Sequence, residues 1–411
     1  MNGAVVIGAG LSGLVAAIKL ARGGRTVTLL TKGLGGLQLS QGTIDVLGYA
    51  PGRVDAPVDA TASLPATHPY RALGPTAIIA GVTYVQELLG DRLVGSPGQN
   101  VLLPTAVGAL RPTCLVPPSM TAGVVTAGIR YVLVGFRQLK DFYPKLCAGN
   151  LERQTTPDGD AIVARGVILD LPATGDMADS SALAYARALD DPAYRAKLAA
   201  ALKPLLRDGE VVGLPAILGH RDPGAHRHLE QLLDHPVFEV PLPPPGVPGI
   251  RLNEALTALA KEAGVRIVAG AKVVGFEAAD GKVVSVGLAT AGRIRQYAAD
   301  AFVYAPGGFE SGALSMDSYG TVTETIFGLP LHGLGPDLVT AADPGNQALF
   351  RVGVGVDAGM RVVDTAGHAP YSNLYAAGGI LAGATRWTEK SGEGIALASA
   401  VVAADSILKG V

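Results

Sequence analysis

Cysteine is scarce in this sequence, because Cys114 and Cys147 are the only two in 411 residues. Two thiols are too few for a disulfide framework, a zinc knuckle or the four ligands of an iron–sulfur cluster. Charged residues are also scarce, at 17% of the chain against about a quarter in most proteins, and the net charge of -2 includes no basic stripe. We therefore expect a small-molecule substrate and protein partners, and no nucleic acid.

Long apolar runs are missing as well. The longest, such as residues 374–384, fall short of the ~20 residues that a membrane helix needs. The first residues, Met1-Asn2-Gly3, lack the basic start of a secretory signal. We expect a cytoplasmic protein that would need a partner for any association with a membrane.

Glycine, in contrast, is abundant, and its clearest pattern lies near the first residue. Residues 4–7 are typical of a strand and residues 14–18 of a helix, with Gly8, Gly10 and Gly13 in the turn between them. In such a unit the first glycine permits the tight turn, the second admits a phosphate, and the third lets helix and strand pack closely. The pattern predicts a nucleotide-phosphate site at the N-terminus of the helix.

The end of the second predicted strand departs from the nucleotide-binding pattern. An acidic residue about 20 positions after the turn normally holds the adenosine ribose, but the sequence has Thr31 and Lys32 there. Lys32 either binds an additional phosphate or is solvated, as most lysines are. The sequence therefore does not predict the usual carboxylate contact to the adenosine ribose.

Three more glycine-rich segments indicate places where the backbone can approach a ligand. Residues 33–45 are too rich in glycine for a helix and too polar for a buried strand, so they are typical of a functional loop. The predicted strand at 301–304 ends in Gly307 and Gly308. The predicted strand at 373–377 ends in Gly378 and Gly379, and a terminal helix begins near Ser391.

These turns resemble the flavoproteins of the glutathione-reductase and fumarate-reductase type. The resemblance rests on the first glycine turn, on residues 304–308 and on residues 374–379 before the last helix. Further segments are similar to the B subunits of anaerobic glycerol-3-phosphate dehydrogenases, and the similarity runs nearly end to end: residues 40–47, 111–113, 134–136, 141–142, 249–252 and 309–312.

The resemblance implies a flavin-bearing subunit, usually with FMN, that works beside a larger FAD-containing subunit and an iron–sulfur membrane-anchor subunit. Such a complex oxidises sn-glycerol 3-phosphate to dihydroxyacetone phosphate and passes the electrons to a quinone. The missing acid at Thr31 fits FMN more easily than FAD, because FMN has no adenosine, although FAD stays open. By matching position the resemblance assigns the flavin contacts to Gly8, Gly10, Ser12 and Gly13 at the phosphate, to Ser40, Gln41 and Gly42 at the ring, and to Gly378, Gly379, Glu393 and Gly394 near the ribityl chain and the pyrimidine edge.

The fold class that we expect is α/β, a Rossmann-like two-dinucleotide-binding flavoprotein fold with an inserted α/β cap domain. Alternating strand and helix patterns between residues 131 and 214 favour a mostly parallel sheet in the cap. Five prolines within residues 241–248 are typical of a rigid connector. We therefore predict a flavin-binding domain built from residues 1–60 and 241–411, and a cap at 61–240.

The catalytic residues are less clear from the sequence. A cationic clamp for a substrate phosphate is expected, and Arg251 and then Arg111 are the candidates, although each is equally explained as a structural arginine. The spacing of His220, His226 and His228 matches no common zinc site. Two alternatives to a dehydrogenase subunit stay open: a non-catalytic flavoprotein scaffold subunit, and a stand-alone flavin oxidase of hydroxy or amino acids.

Overall fold

The structure is a computed structural model that describes residues 2–175, 177–342 and 347–410. Its helices are, in chain order, α1 (Leu11–Arg22), α2 (Pro57–Ala60), α3 (Pro69–Leu89), α4 (Pro144–Leu151), α5 (Ala182–Ala188), α6 (Pro192–Leu202), α7 (Ala225–Leu233), α8 (Val247–Glu262), α9 (Arg386–Glu389) and α10 (Gly392–Lys409). Its strands are β1 (Gly3–Ile7), β2 (Thr26–Thr31), β3 (Val94–Gly95), β4 (Val101–Pro104), β5 (Leu110–Thr113), β6 (Leu115–Val116), β7 (Arg130–Phe136), β8 (Val163–Leu169), β9 (Val211–Pro215), β10 (Val237–Val240), β11 (Arg266–Ala269), β12 (Val273–Ala279), β13 (Lys282–Thr290), β14 (Arg293–Ala298), β15 (Ala301–Tyr304), β16 (Leu314–Met316), β17 (Val322–Glu324), β18 (Leu331–His332), β19 (Gly353–Val356), β20 (Val362–Val363) and β21 (Leu374–Ala376).

A five-stranded parallel sheet, in the order β11-β2-β1-β15-β21, forms the centre of the larger half of the molecule. Ile7 pairs with Leu30 on one side and with Tyr304 on the other, and Tyr304 pairs with Ala376. Because the carboxyl ends of parallel strands meet at one edge, the glycine turns that follow these strands lie side by side. The sheet thus brings together three turns that are far apart in the sequence, and the predicted Rossmann-like α/β fold is confirmed.

The last helix, α10, closes this half of the molecule. It packs against both α1 and α3, and its apolar face is buried along most of its length. By length and mean hydropathy alone, the helical stretch Pro69–Arg92 could span a membrane, which the sequence analysis did not anticipate. In the fold the apolar side of α3, including Ile78 and Val82, joins the core beside α10.

The cap has an apolar core of its own. A four-stranded parallel sheet in the order β10-β9-β7-β8 lies at its centre, and the buried residues of this core run from Leu102 to Val247. The buried side chains of α3 belong instead to the core of the larger half. The two cores therefore favour a cap from about residue 102 to 247 over the expected 61–240, while the domain bounds themselves stay a prediction.

Two helices of the cap differ from the sequence expectations for identifiable reasons. The sequence of residues 139–147 predicts a helix interrupted by Pro144, but Pro144 begins α4, where the missing N–H of a proline costs nothing. The sequence also predicts a single helix from about residue 179 to 206, and the structure has α5 and α6 instead. Ser181 accepts a hydrogen bond from Ala184 N, and Asp191 accepts one from Ala193 N, so each segment has its own N-cap.

Candidate functional site

A cleft with a volume of about 610 Å³ runs along the carboxyl edge of the five-stranded sheet. Its walls are the turn after β1, the end of β2, the loop before Ser40, the start of β12, the turn after β15 and the first turn of α10. Every wall except the start of β12 carries residues that the sequence analysis assigned to a cofactor. The position matches the place where open α/β sheets bind nucleotides, outside the carboxyl ends of their strands.

The three glycines of the first turn lack a side chain for different structural reasons. A Cβ on Gly8, whose φ is 111°, would lie 2.1 Å from Ala305 O, and a Cβ on Gly13 would lie 1.9 Å from Gly8 O. A Cβ on Gly10 would meet nothing within 4 Å, because Gly10 faces the cleft. The first and third glycines are thus required by the protein's own packing, and the second leaves space for a phosphate at the N-terminus of α1. Ser12 is buried beside them and also lines the cleft.

The end of β2 forms the far side of the cleft. Thr31 is buried and its Oγ1 donates a hydrogen bond to Gly33 O. Lys32 is exposed and lines the cleft together with Lys272, which precedes β12. Within the described parts of the chain neither ammonium group has an ion-pair partner. Two lysine side chains therefore occupy the region where a nucleotide-binding fold usually has the carboxylate that binds the ribose.

The turns after β15 and β21 contribute backbone to the cleft. Gly307 and Gly379 line it, whereas Gly378 is buried behind them. Gly378 N donates to Ser399 Oγ at 2.9 Å, and so fixes this turn to α10. Arg386 donates from Nη1 to Gly379 O at 2.7 Å, and this arginine also lines the cleft. Gly378 thus supports the site without facing it.

The loop that was predicted to cover the flavin ring divides between two environments. Ser40 lines the cleft, and its Oγ accepts a hydrogen bond from Gly42 N at 3.3 Å. The Gln41 side chain is turned to Arg111, which donates a hydrogen bond to Gln41 Oε1. Gly42 lines a second cavity on the other side of the loop. Of Ser40, Gln41 and Gly42, Ser40 alone therefore lines the cleft at the sheet edge, which we call the cofactor cleft.

A cluster of charged groups lies beneath the first turn of α10. Glu393 lines the cleft, and burial, followed by the negative charge of Asp45, raises the pKa of its carboxyl to about 7. The Asp45 carbonyl accepts a hydrogen bond from Gly394 N at 2.9 Å, which connects this loop to the helix. The Asp45 carboxylate is paired with Arg111, and Thr43 Oγ1 donates to it at 3.2 Å. The cluster thus holds a carboxyl that takes up or releases a proton near neutral pH at the wall of the cleft.

The two arginines proposed as phosphate clamps are both engaged in ion pairs. Arg111 binds Asp45, as described above. Arg251 donates from Nη1 to Glu239 Oε2 at 2.7 Å and from Nη2 to Glu239 Oε1 at 3.0 Å, and its Nε donates to Gly219 O at 2.8 Å. Neither arginine lines the cofactor cleft, and Arg251 lines the second cavity. A catalytic role for either one stays a prediction.

Sequence reasoning missed several residues of the site. Arg386 and Glu310 line the cleft and are joined by a hydrogen bond of 2.7 Å. Glu310 was included only in the resembling segment 309–312, and Asp45 only in the glycine-rich loop and the resembling segment 40–47, although the Asp45 carboxylate pairs with Arg111. An acidic residue that follows a glycine-rich loop was the available signal for Asp45. For Arg386 the sequence offers none.

The histidines of the cap have structural partners. His220 Nε2 lies 3.2 Å from Glu254 Oε1, and Arg195 Nε donates to His228 Nδ1 at 3.0 Å. Over the residues that the structure describes, no three His, Cys, Asp or Glu side chains are grouped as metal ligands would be. Cys114 and Cys147 are buried, and burial raises the pKa of both thiols.

The sheet, the glycine turn and the cleft together define a nucleotide-binding flavoprotein. The model of the FAD binding domain family matches residues 3–395. The B subunit of a probable anaerobic glycerol-3-phosphate dehydrogenase from Halobacterium salinarum is 33% identical over 97% of this chain and 96% of its own length. The corresponding B subunit from Pectobacterium atrosepticum is 30% identical over 98% of each chain. The chain belongs to the family of anaerobic glycerol-3-phosphate dehydrogenase B subunits, which are flavin-dependent oxidoreductases.

Among solved structures, a 3-ketosteroid delta1-dehydrogenase from Sterolibacterium denitrificans aligns over 100% of both chains, with 12% identity and a TM-score of 0.46.

A flavin is the cofactor of the family to which this chain belongs. Its phosphate fits the open space at Gly10, where a Cβ would meet nothing, beside the N-terminus of α1.

Proposed function

We propose that this chain is the flavin-carrying subunit of a complex that oxidises sn-glycerol 3-phosphate to dihydroxyacetone phosphate and passes the electrons through partner subunits to a quinone. The observation that carries the proposal is the cleft at the sheet edge, with its open phosphate position at Gly10 and Glu393 at its wall. The names of the relatives supply the substrate. They also support partner chains, since each relative is called a subunit.

The flavin that we propose is FAD, although the resemblance implied FMN. The cleft continues past the phosphate turn to Thr31 and Lys32 at the end of β2, and to Lys272 just before β12. The end of this second strand is where the adenosine of a dinucleotide binds. FMN would leave this part of the cleft empty. The family is also described by its FAD binding domain.

A flavin bound in this cleft would supply the acceptor of the hydride. The chain itself contributes two features at the ring end. The N-terminal amides of α10, beside Gly392 and Glu393, favour negative charge in the cleft. The Glu393 carboxyl, whose pKa is raised to about 7, holds a proton at its oxygen next to the cofactor space.

The partners that we propose are a larger FAD-containing dehydrogenase subunit and an iron–sulfur membrane-anchor subunit. With only two cysteines, this chain lacks the four thiolates that an iron–sulfur cluster usually requires. The electrons would therefore leave through a partner's cluster. The complex would place this chain at the cytoplasmic side of the inner membrane.

The first test is to purify the chain, release its flavin by denaturation and identify the flavin by chromatography. Anaerobic addition of sn-glycerol 3-phosphate to the intact chain should then bleach the bound flavin. Gly10→Ala serves as the flavin-free control, because its methyl group occupies the phosphate position. A chain that carries no flavin would overturn the proposal.

A second candidate is an electron-transfer subunit without a substrate site of its own. The observation that favours it is that both expected clamps are neutralised, Arg111 by Asp45 and Arg251 by Glu239. In that case the bound flavin stays oxidised with glycerol 3-phosphate, and it is reduced only after the partner subunits are added. The same bleaching experiment, with and without partners, distinguishes the two candidates.

A further inference from the structure

A second cavity, also of about 610 Å³, lies between the cap and the larger half of the molecule. The larger half contributes α8 and the turn that follows α3, and the cap contributes the turn after β9 and the start of α7. Among the described residues, none that lines this cavity also lines the cofactor cleft. The cavity is therefore a separate space, and it is lined by Arg251, the first candidate phosphate clamp, and by Gly42.

Three arginines from both halves of the molecule converge on this cavity. Arg92 comes from the turn after α3, Arg221 from the turn after β9, and Arg227 from the first turn of α7. All three side chains are exposed to the cavity or to solvent. In the described ranges no carboxylate forms an ion pair with any of them. Their guanidinium groups are thus available to a ligand.

Of the described residues that line the cavity, Asp91, Asp222 and Glu254 are acidic. Asp222 Oδ2 accepts a hydrogen bond from Arg195 Nη1 at 2.6 Å, so its charge is balanced. Glu254 lies 3.2 Å from His220 Nε2, which balances its charge only when the imidazole is protonated, and the described structure shows no cation within ion-pair distance of Asp91. Three unpaired arginines against Asp91 and Glu254 still leave the cavity positive, so it favours an anion.

The start of α7 adds a second attraction for an anion. This helix has nine residues, and Gly224, His226 and Arg227 at its N-terminal end line the cavity. The first amides of a helix have no acceptor within the helix, and its dipole is positive at this end. Gly224 N already donates to Asp222 Oδ1 at 2.8 Å and Ala225 N to Asp222 O at 3.3 Å, so the start of α7 contributes its dipole rather than these two amides. The hydrogen bonds to an oxyanion would come from the planar guanidinium groups, which suit a phosphate.

The cavity and the cofactor cleft share one thin wall. The loop before Gly42 lines the cleft through Leu37 and Ser40, whereas Gly42 itself lines the cavity. A Cβ on Gly42 would lie 2.5 Å from Pro248 Cβ, so the loop is pressed against the start of α8, which forms the cavity wall. A ligand in the cavity therefore lies on the other side of the loop from the cofactor.

We propose that this interdomain cavity is a binding site for a small phosphorylated molecule, whose phosphate group is bound by Arg92, Arg221 and Arg227. The identity of the organic part of the ligand, a three-carbon polyol, rests on the proposed function. The anion site itself does not depend on that function. The site also needs both halves of the molecule, because Arg92 comes from one and Arg221 and Arg227 from the other.

The test is isothermal titration of the flavin-loaded chain with inorganic phosphate and with sn-glycerol 3-phosphate, and with glycerol as the uncharged control. Both anions should bind and glycerol should not, and raising the salt concentration should weaken binding. Each of Arg221→Gln and Arg227→Gln should weaken phosphate binding ~10-fold, and the double variant ~100-fold, since each charged hydrogen bond contributes about 1.5 kcal/mol or more. Arg153→Gln, at an exposed arginine of the cap that lines neither space, should leave the affinity unchanged.

Three results would overturn the proposal. These are no heat with phosphate, an unchanged affinity in the double variant, and an equal loss in Arg153→Gln. A double variant that keeps its phosphate affinity but no longer co-purifies with another chain would show that the arginines serve a protein interface instead. Phosphate binding without bleaching of the flavin would keep the anion site and reject substrate oxidation by this chain. Bleaching that survives in the double variant, together with an unchanged phosphate affinity, would keep substrate oxidation by this chain and reject the anion site.

Discussion

Arg251 and Glu239 form a two-pronged ion pair that joins α8 to the cap. Both carboxylate oxygens of Glu239 accept from the guanidinium group, and Ser119 Oγ and Leu218 N complete the hydrogen bonds of this fully buried carboxylate. The arginine that the sequence suggested as a substrate clamp is therefore first of all a connection between two parts of the fold.

Replacing this arginine should destabilise the protein more than an ordinary surface change. Arg251→Gln leaves the Glu239 charge buried without its cation, and breaking such a pair typically costs about 3 kcal/mol. Urea unfolding followed by circular dichroism measures the change. Arg266→Gln, at an exposed arginine of β11, is the control and should change the free energy of unfolding by less than about 0.5 kcal/mol. Equal midpoints for the two variants would contradict the structural role.

The first glycine turn offers a matched pair of substitutions. Gly10→Ala should fold with nearly unchanged stability, because its Cβ meets nothing, but should lose its flavin. Gly13→Ala should destabilise the chain itself, by about 2 kcal/mol or more, because the new Cβ would lie 1.9 Å from Gly8 O. Melting temperature and the ratio of flavin absorbance to protein absorbance separate the two effects. A Gly10→Ala protein with full flavin content would argue against a phosphate at this turn.

Glu393 should make the stability of the flavin-free chain depend on pH. Its pKa is raised in the folded chain to about 7, from 4.5, so the carboxyl binds more protons when folded than when unfolded. Its contribution is therefore fully present below about pH 4.5 and is lost as the pH rises through about 7. Melting curves between about pH 5 and 8 should show the difference between the wild type and Glu393→Gln change over this window. The groups that face Glu393 are Asp45, Arg111 and Lys390, and a difference that is constant with pH would reject the assignment.

The two thiols should react only when the chain unfolds. Cys114 and Cys147 are both buried, and burial raises the pKa of each. A thiol reagent at about pH 8 should therefore detect almost no reactive cysteine in the folded protein and two in urea. Rapid modification of one thiol in the folded chain would show that the cap or the core opens locally. Cys114→Ser and Cys147→Ser, measured separately, would identify which one.

The glycine turn after β1 could be predicted because Gly8, Gly10 and Gly13 lie close together in a local strand–turn–helix pattern. The contact of Gly8 with Ala305 could not be predicted, because it joins segments that are far apart in the sequence. Binding of a cofactor phosphate at this turn stays a prediction. The ion pairs of Arg111 and Arg251 could not be predicted, because each partner is chosen by tertiary contacts between separate segments. The core that α3 joins could not be predicted for a similar reason, since an apolar helical pattern does not indicate which of two cores the helix packs against.

The order of the chain also determines when each half of the molecule can form during synthesis. The cap core lies within residues 102–247 and can fold as soon as that stretch has left the ribosome. The five-stranded sheet must wait, because β1 pairs with β15 and the cleft is closed by α10, which ends at Lys409. The first glycine turn is therefore synthesised first, but the cleft that it lines can close only after α10 has been made.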